Sequence, residues 1–483
     1  MGKPIIYQLL PRLWGEGRMS SVDIPSLRYF KALGVTHVWY TGIIRHATDP
    51  AFVKGRPGCP YAISDYYDVN PYLADNEENR MSEFEELVAR THENGLRVVL
   101  DFVPNHVARD YGRLRARKDI PYLGDGDDPS VHWKDSNDFY YYPGEALRLP
   151  EGRSFEEQPA KATGNAFTPA PGANDWFDTV RLNYCPTHTA TWDKMLAVLL
   201  FWAGKGVDAF RCDMVEMVPI GFFAWAFTQV KQQYPDIQFI AEVYQKENYR
   251  EWISVAGFDR LYDKSGLYDT LRAVVAHDAP ASGITGVWQS LGEMQPRMLN
   301  FLENHDEQRF ASPFFGGDGQ RTFAPLGVSL LLNTAPFLVY FGEETGERAA
   351  EAADGRTSIF NRITVPSLQR LCAFAHTGEG LLPEEAALQA RFAALLQRAG
   401  DPLFAEGATF DLGYCNGDRM DPARQFAFLR SFGCRTALVF CNFSPTPARA
   451  TLRIPEHAAA FGIRPGEATV EAGPSDATIL DYQ

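Results

Sequence analysis

The stretch Gly206-Val-Asp-Ala-Phe-Arg-Cys-Asp-Met214 decides how the rest of the chain is read. Its apolar and small residues describe a short buried strand, entered from a helix over Trp192–Gly204. Strand side chains alternate between faces, so Ala209, Arg211 and Asp213 point one way while Phe210 and Cys212 point the other. An arginine and an aspartate therefore emerge together from the end of a buried strand. Buried charges are costly unless paired and hydrogen-bonded, so this pair is either a structural ion pair or part of a site.

Working outward, apolar strands recur with helical segments between them. Pro4–Leu13, Thr36–Tyr40 and Leu96–Phe102 precede the opening stretch, and Ile237–Val243 follows it. Gly257–Tyr262, Arg297–Leu302 and Pro336–Tyr340 complete a set of eight. Asp23 with Pro25 signals the start of a helix over Ser26–Leu33 that Gly34 stops, and Ser82-x-x-Glu85 reads as a capping box opening the next helix. Apolar strands alternating with helices indicate a parallel sheet covered on both faces, and eight of them favour a closed (β/α)8 barrel. The expected class is α/β: a barrel over 1–106 and 177–402, a small inserted domain over 107–176 after strand three, and a C-terminal antiparallel β-sandwich over 403–483. The inserted region is rich in Gly, Pro, Asp and Tyr. Its run Phe139-Tyr-Tyr-Tyr142 either stacks along a cleft or forms the region's own core.

Composition bounds the partners. The 483 residues are 45% hydrophobic, 22% charged and 13% aromatic, with net charge −15. That balance argues against nucleic acid, which is held by clustered Lys and Arg, and against an anionic membrane. No stretch is apolar enough to span a bilayer. Seven scattered cysteines show no metal-ligand spacing and read as reduced, largely buried thiols. The opening Met1–Tyr7 lacks the apolar run of a signal peptide, so the expected location is the cytoplasm, or an exported compartment with a leader removed. The oligomeric state is open, with a monomer favoured.

The strand ends carry the chemistry. Strand three runs out in Asp101-Phe-Val-Pro-Asn-His106, strand four in Arg211-Cys-Asp213, strand five in Ala241-Glu242 and strand seven in Asn304-His-Asp306. In a (β/α)8 barrel all these ends converge on one face.

These segments resemble the four signature segments of the α-amylase family of glycoside hydrolases, and Tyr61-Ala-Ile-Ser-Asp65 is similar to that family's Tyr-x-x-x-Asp segment. The resemblance implies Asp213 as nucleophile, Glu242 as general acid/base and Asp306 as transition-state stabiliser. It implies His106 and His305 as sugar-hydroxyl ligands and Tyr61 as a stacking platform. Asp101 and Asn105 are read as support, Asp101 pairing with Arg211 and Asn105 holding the loop toward the inserted domain. Arg309 is read either as steadying Asp306 or as a surface residue, and Asp354 and Arg356 as marking a neighbouring sugar subsite.

Elementary chemistry agrees with those roles. Retaining cleavage of a glycosidic bond needs one carboxylate to attack and one carboxylic acid to protonate the leaving oxygen. Arg211 beside Asp213 favours its charged form, whereas Glu242 needs burial and like charge to stay protonated. No cofactor is required for this chemistry. A structural calcium is a candidate, with Asn105 and carbonyl oxygens of the inserted domain as ligands, although Glu216 and Met217 stand where many α-amylases have Lys-His. Three functions follow: a retaining hydrolase of α-1,4-glucans, an α-glucan transglycosylase using the same carboxylates, and a non-catalytic carbohydrate-binding protein on the same fold.

Overall fold

A computed structural model describes residues 2–482. Eight parallel strands close into a barrel: β1 Ile5–Leu9, β2 His37–Tyr40, β3 Arg97–Phe102, β4 Ala209–Cys212, β5 Gln238–Ala241, β6 Arg260–Tyr262, β7 Met298–Phe301 and β8 Phe337–Tyr340. They join in chain order, with β1 paired to both β2 and β8. All eight coincide with the apolar runs in the sequence. One residue from each strand fills the lumen: Ile6, Trp39, Val99, Ala209, Ile240, Tyr262, Leu299 and Leu338 belong to one buried cluster. The alternate residues, Phe210 and Cys212 among them, pack outward into the main core. A lumen filled with side chains is a packed core and leaves only the strand ends free for chemistry.

Helices α1 Ile24–Ala32, α2 Arg80–Glu93, α3 Ala190–Gly204 and α4 Ile220–Gln233 cover the first half of the barrel. The cap of α1 is as expected, with Asp23 Oδ1 accepting from Ser26 N at 3.1 Å. The chain leaves α1 through Gly34 at φ +91°, a left-handed conformation that glycine adopts without a Cβ penalty. The capping box at Ser82 is not formed. Helix α2 begins two residues earlier, at Arg80, so Ser82 lies inside its first turn. Glu83 reaches upstream instead, where its carboxylate accepts from Asp75 N at 2.7 Å and Asn76 N at 2.8 Å.

Between β3 and α3 the described residues contain no helix. The segment's ends are clipped by an antiparallel ladder, His106–Ala108 against Thr179–Arg181, which carries His106 up from β3 to the rim. Strand alternation divides the four aromatics. Phe139 and Tyr141 are buried in the segment, with the Tyr141 hydroxyl donating to Asp127 Oδ2 at 2.9 Å. Tyr140 lies edge-on to Phe167 at 5.0 Å. None of the four lines the cleft that holds the carboxylates.

C-terminal to the barrel, β9 Ala408–Asp411, β10 Gln425–Phe432, β11 Arg435–Asn442 and β14 Asp476–Tyr482 form an antiparallel sheet in the order β9-β10-β11-β14. Strands β12 Ala448–Ile454 and β13 Gly466–Ala472 make a second, two-stranded sheet. Leu429, Leu438 and Phe440 face Leu452, Ile454 and Val470 across the gap. The other face of the larger sheet, with Phe426, Phe428 and Val439, joins the main core. Helix α5 Phe323–Leu331 lies in that core, which is why all nine of its residues are buried.

Candidate active site

The parallel ladder continues one residue past β4 and β5 and sets the acidic residues side by side. Asp213 N donates to Phe102 O at 2.9 Å and Glu242 N to Cys212 O at 3.1 Å. Arg211 faces the lumen, fully buried, and is the centre of the cluster. Its Nη1 donates to Asp213 Oδ1 at 2.6 Å and lies 3.6 Å from Asp101 Oδ1. Its Nη2 lies 2.9 Å from Glu242 Oε2, an ion-pair contact out of line for a hydrogen bond, and 3.9 Å from Asp306 Oδ2. Nε donates to the Tyr262 hydroxyl at 3.2 Å. One guanidinium thus neutralises part of four carboxylates that arrive from four strands.

Glu242 is 3% exposed. Burial holds its carboxyl above the ordinary carboxylate range; Asp213 adds to this and Arg211 opposes it. Oε2 accepts from Met214 N at 2.8 Å and Oε1 from the Tyr244 hydroxyl at 2.7 Å. Met214 makes its contact from a left-handed backbone, φ +44° and ψ +46°, unusual for a residue with a side chain. That conformation costs about 1–2 kcal/mol, which the hydrogen bond to the buried carboxyl, about 0.5–1.5 kcal/mol, offsets in part. Glu216 fastens the same loop, accepting from Tyr244 N and Gln245 N at 3.0 Å each.

Asp306 keeps 40% of its side chain open to the cleft, the most accessible of the three carboxylates. His305 Nε2 lies 3.0 Å from Asp306 Oδ2 and 2.7 Å from the Tyr61 hydroxyl. Gln8 Nε2 stands 2.8 Å from His305 Nδ1, so with the amide nitrogen donating there the ring proton sits on Nε2, toward Asp306. Burial, then Arg211, holds His305 well below the usual histidine pKa, so the ring is neutral. Tyr61 stacks on it with ring centroids 5.1 Å apart. His106 is also neutral, held at about 4 by burial, and its ring packs 5.1 Å from Trp176. Asp101 is pushed up to about 7 by burial, with Arg211 and the Trp39 indole opposing. Trp39 Nε1 donates to Asp101 Oδ2 at 3.0 Å.

The cleft is lined by Tyr61, His106, Asp213, Glu242 and Asp306, as the sequence suggested, and also by Lys54, Trp176, Asp178, Met214 and Phe360. Two expectations change. Arg309 does not reach Asp306: it donates to Glu303 Oε2 at 2.9 Å and Thr357 Oγ1 at 2.8 Å, because the chain turns it back under β8 against the Tyr340 ring. Arg356 donates to the backbone oxygen of Asp306 at 2.7 Å and lies 3.2 Å from Asp354 Oδ2. That pair therefore props the Asp306 loop and does not line the cleft. Asn105 does hold the inserted segment, but through its amide nitrogen, which donates to Gly164 O at 2.9 Å. Calcium takes six to eight oxygens, often carboxylates. Among the described residues no group of three or more His, Cys, Asp or Glu is placed to hold such an ion.

Two missed residues carried a signal. Tyr244 follows Glu242 by two and Gln8 is a polar residue at an inward position of β1, the same pattern that singles out Arg211. Lys54, Trp176 and Phe360 sit on loops, where no periodicity marks them.

Residues 17–252 match the family model of the alpha-amylase catalytic domain. Among curated proteins, Alpha-amylase 3 of Dictyoglomus thermophilum is 25% identical over 358 residues, 71% of this chain and 64% of the relative. Alpha-1,4-glucan:maltose-1-phosphate maltosyltransferase of Picrophilus torridus is 24% identical over 269 residues, 53% of this chain and 35% of the relative. The chain thus spans between a third and two thirds of these relatives' lengths. Among solved structures, cyclic alpha-maltosyl-(1→6)-maltose hydrolase of Arthrobacter globiformis in complex with maltose superposes with a TM-score of 0.70 at 19% identity, covering 99% of each chain, which shows the shared fold. With the matched segment carrying Asp101, Arg211, Asp213 and Glu242 on successive strand ends of such a barrel, the chain belongs to the α-amylase family.

Proposed function

We propose that the protein is a retaining glycoside hydrolase of α-1,4-glucans, working through a covalent glycosyl-enzyme intermediate. The observation that carries this is the shared guanidinium: Arg211 holds Asp213 at 2.6 Å on one terminal nitrogen and Glu242 at 2.9 Å on the other. Two carboxyls clamped on one guanidinium suit the retaining pair, about 5–5.5 Å apart, better than the pair about 6.5–9.5 Å apart that admits a water. Asp213, hydrogen-bonded to a fixed cation, is the carboxylate that attacks the anomeric carbon. Glu242, raised by burial, carries the proton for the leaving oxygen and takes one from water in the second step. Asp306, open to the cleft and oriented by His305, stabilises the oxocarbenium-like transition state. Tyr61 and His106 hold the sugar beside the scissile bond.

The relationship to a maltosyltransferase favours a second reading, in which an acceptor sugar replaces water in the second step. Products from amylose, maltotriose, pullulan and sucrose, with the anomeric form followed by NMR, test both. α-Configured maltooligosaccharides support the hydrolase; chains longer than the substrate at high maltotriose support transfer; β-configured products contradict the retaining mechanism.

Tyr244 provides a pH test. Its hydroxyl stabilises ionised Glu242, so Tyr244→Phe raises the Glu242 pKa further. Because Glu242 acts protonated, the rate falls as pH rises through that pKa, and the alkaline limb of kcat/KM moves upward by on the order of one pH unit. An unmoved limb would show that Tyr244 serves packing only.

A further inference from the structure

Across the Lys54–Cys59 loop from the carboxylates lies a second groove, lined by Arg45, His46, Arg56, Tyr72 and Arg362 among others. Two loops are shared between them. Lys54 and Cys59 line the cleft while Arg56 and Pro57 line the groove; Phe360 lines the cleft while Arg362 lines the groove. The loops are tied by Gly58 N donating to Phe360 O at 3.2 Å and Arg362 N donating to Arg56 O at 2.7 Å. The groove is therefore the cleft's immediate neighbour, held at a fixed offset from it.

Three arginines meet here in a chain of net charge −15. Arg45 donates to Asp68 at 2.8 Å, but Asp68 also accepts from Arg80, so the carboxylate is shared. Arg362 donates to the backbone oxygen of Glu16 at 2.6 Å, and among the described residues neither Arg362 nor Arg56 has a carboxylate partner. Glu77 is the one acidic side chain on the wall. Beneath the floor lies a fourth guanidinium. Arg12 is 3% exposed; its Nη1 donates to Gly58 O at 3.2 Å and reaches the Tyr72 hydroxyl at 3.4 Å. Its Nε and Nη2 are buried without any partner. Tyr72 is 2.8 Å from His46 Nε2, and burial holds His46 at about 3, so that ring is neutral and adds no charge of its own.

Solvated surface arginines are common and need no ligand. They do not account for a buried guanidinium under the same floor with two donors unsatisfied, since such donors are costly to leave unmade. Nor do they account for Arg56 and Arg362 projecting without acids from the two loops that wall the cleft. We propose that this groove binds a phosphate monoester carried on a sugar, with Arg56 and Arg362 as its principal ligands, Arg45 beside them on the wall and Arg12 supplying the field from below. Phosphate is favoured over carboxylate because three oxygens and up to two charges match several forked guanidinium groups at once. The sugar half rests on the glucan reading; the anion half does not. The phosphate comes either on the glucan itself or on a free sugar phosphate.

Titration calorimetry at constant chloride, with inorganic phosphate and glucose 6-phosphate as probes, tests the site. The wild-type protein is expected to bind both saturably, and Arg56→Gln/Arg362→Gln to bind at least about tenfold more weakly at an unchanged thermal midpoint. The ratio of kcat/KM for a phosphorylated over a neutral maltooligosaccharide distinguishes the sources. A ratio above one that the variant loses places the phosphate on the glucan, and a ratio of one with binding intact places it on a free ligand. Absent binding, or equal binding by both proteins, overturns the site. Failure of the glucan reading is separate: no glucan is cleaved while phosphate still binds.

Discussion

Asp213→Asn is expected to abolish turnover of every glucan, by on the order of a million-fold, the scale seen when a nucleophile is removed from other covalent catalysts. The amide retains an oxygen that can accept from Arg211 Nη1, whose contact with Asp213 is 2.6 Å, so the fold and the thermal midpoint stay close to those of the parent. What is lost is the attack itself, because an amide oxygen does not displace the leaving group to form a glycosyl ester. A variant that kept one per cent of the rate on maltotriose would remove Asp213 from the chemistry.

Arg211→Met has the second large effect, on stability as well as rate. The change leaves Asp101, Asp213 and Glu242 buried without their cation, at a cost of about 3–5 kcal/mol when a buried pair is broken from one side. The carboxyls escape part of this by taking up protons, so their folded-state pKa values rise above those of the unfolded chain. The folded state then binds more protons, and stability falls as pH climbs through the raised values. Urea midpoints should therefore decline more steeply from pH 5 to 8 in the variant than in the parent. Activity falls as well, by on the order of a hundredfold or more, because the preorganised cation beside the reacting carboxylates is gone. Arg211→Lys recovers a charge but cannot hold Asp213 and Glu242 on two nitrogens, so it should restore stability better than rate. Equal pH slopes for variant and parent would contradict the shared-cation arrangement.

The barrel was legible because its strands are buried on both faces, and the lumen residue of each falls within an apolar run. Strands β9 and β14 carry no such signal. The first is four residues long, and the second carries Asp476 and Asp481 near its ends with none of its residues fully buried, so neither shows a hydrophobic pattern. Asp213 and Glu242 could be read because each follows an apolar strand directly, and Asp306 because it closes the Asn304-His-Asp306 segment just beyond β7. Arg309 and Arg356 were misjudged for the converse reason: their reach is set by the loops after β7 and β8, whose course sequence spacing does not encode. The Ser82 box failed because the helix starts two residues upstream, which puts Ser82 inside its first turn, and Glu85 pairs with Lys205 instead.

The division of labour between Asp213 and Glu242 can be tested in one measurement. Glu242→Gln removes the proton donor, so an unactivated starch linkage loses nearly all its rate. An α-glucosyl fluoride needs little protonation of its leaving group, and without a base the intermediate that it forms is not hydrolysed. Mass spectrometry of this variant after reaction with the fluoride should show one added hexosyl unit, mapped by peptide digestion to Asp213. An adduct on Asp306, or fluoride release with no adduct and an inverted product, would contradict the assignment.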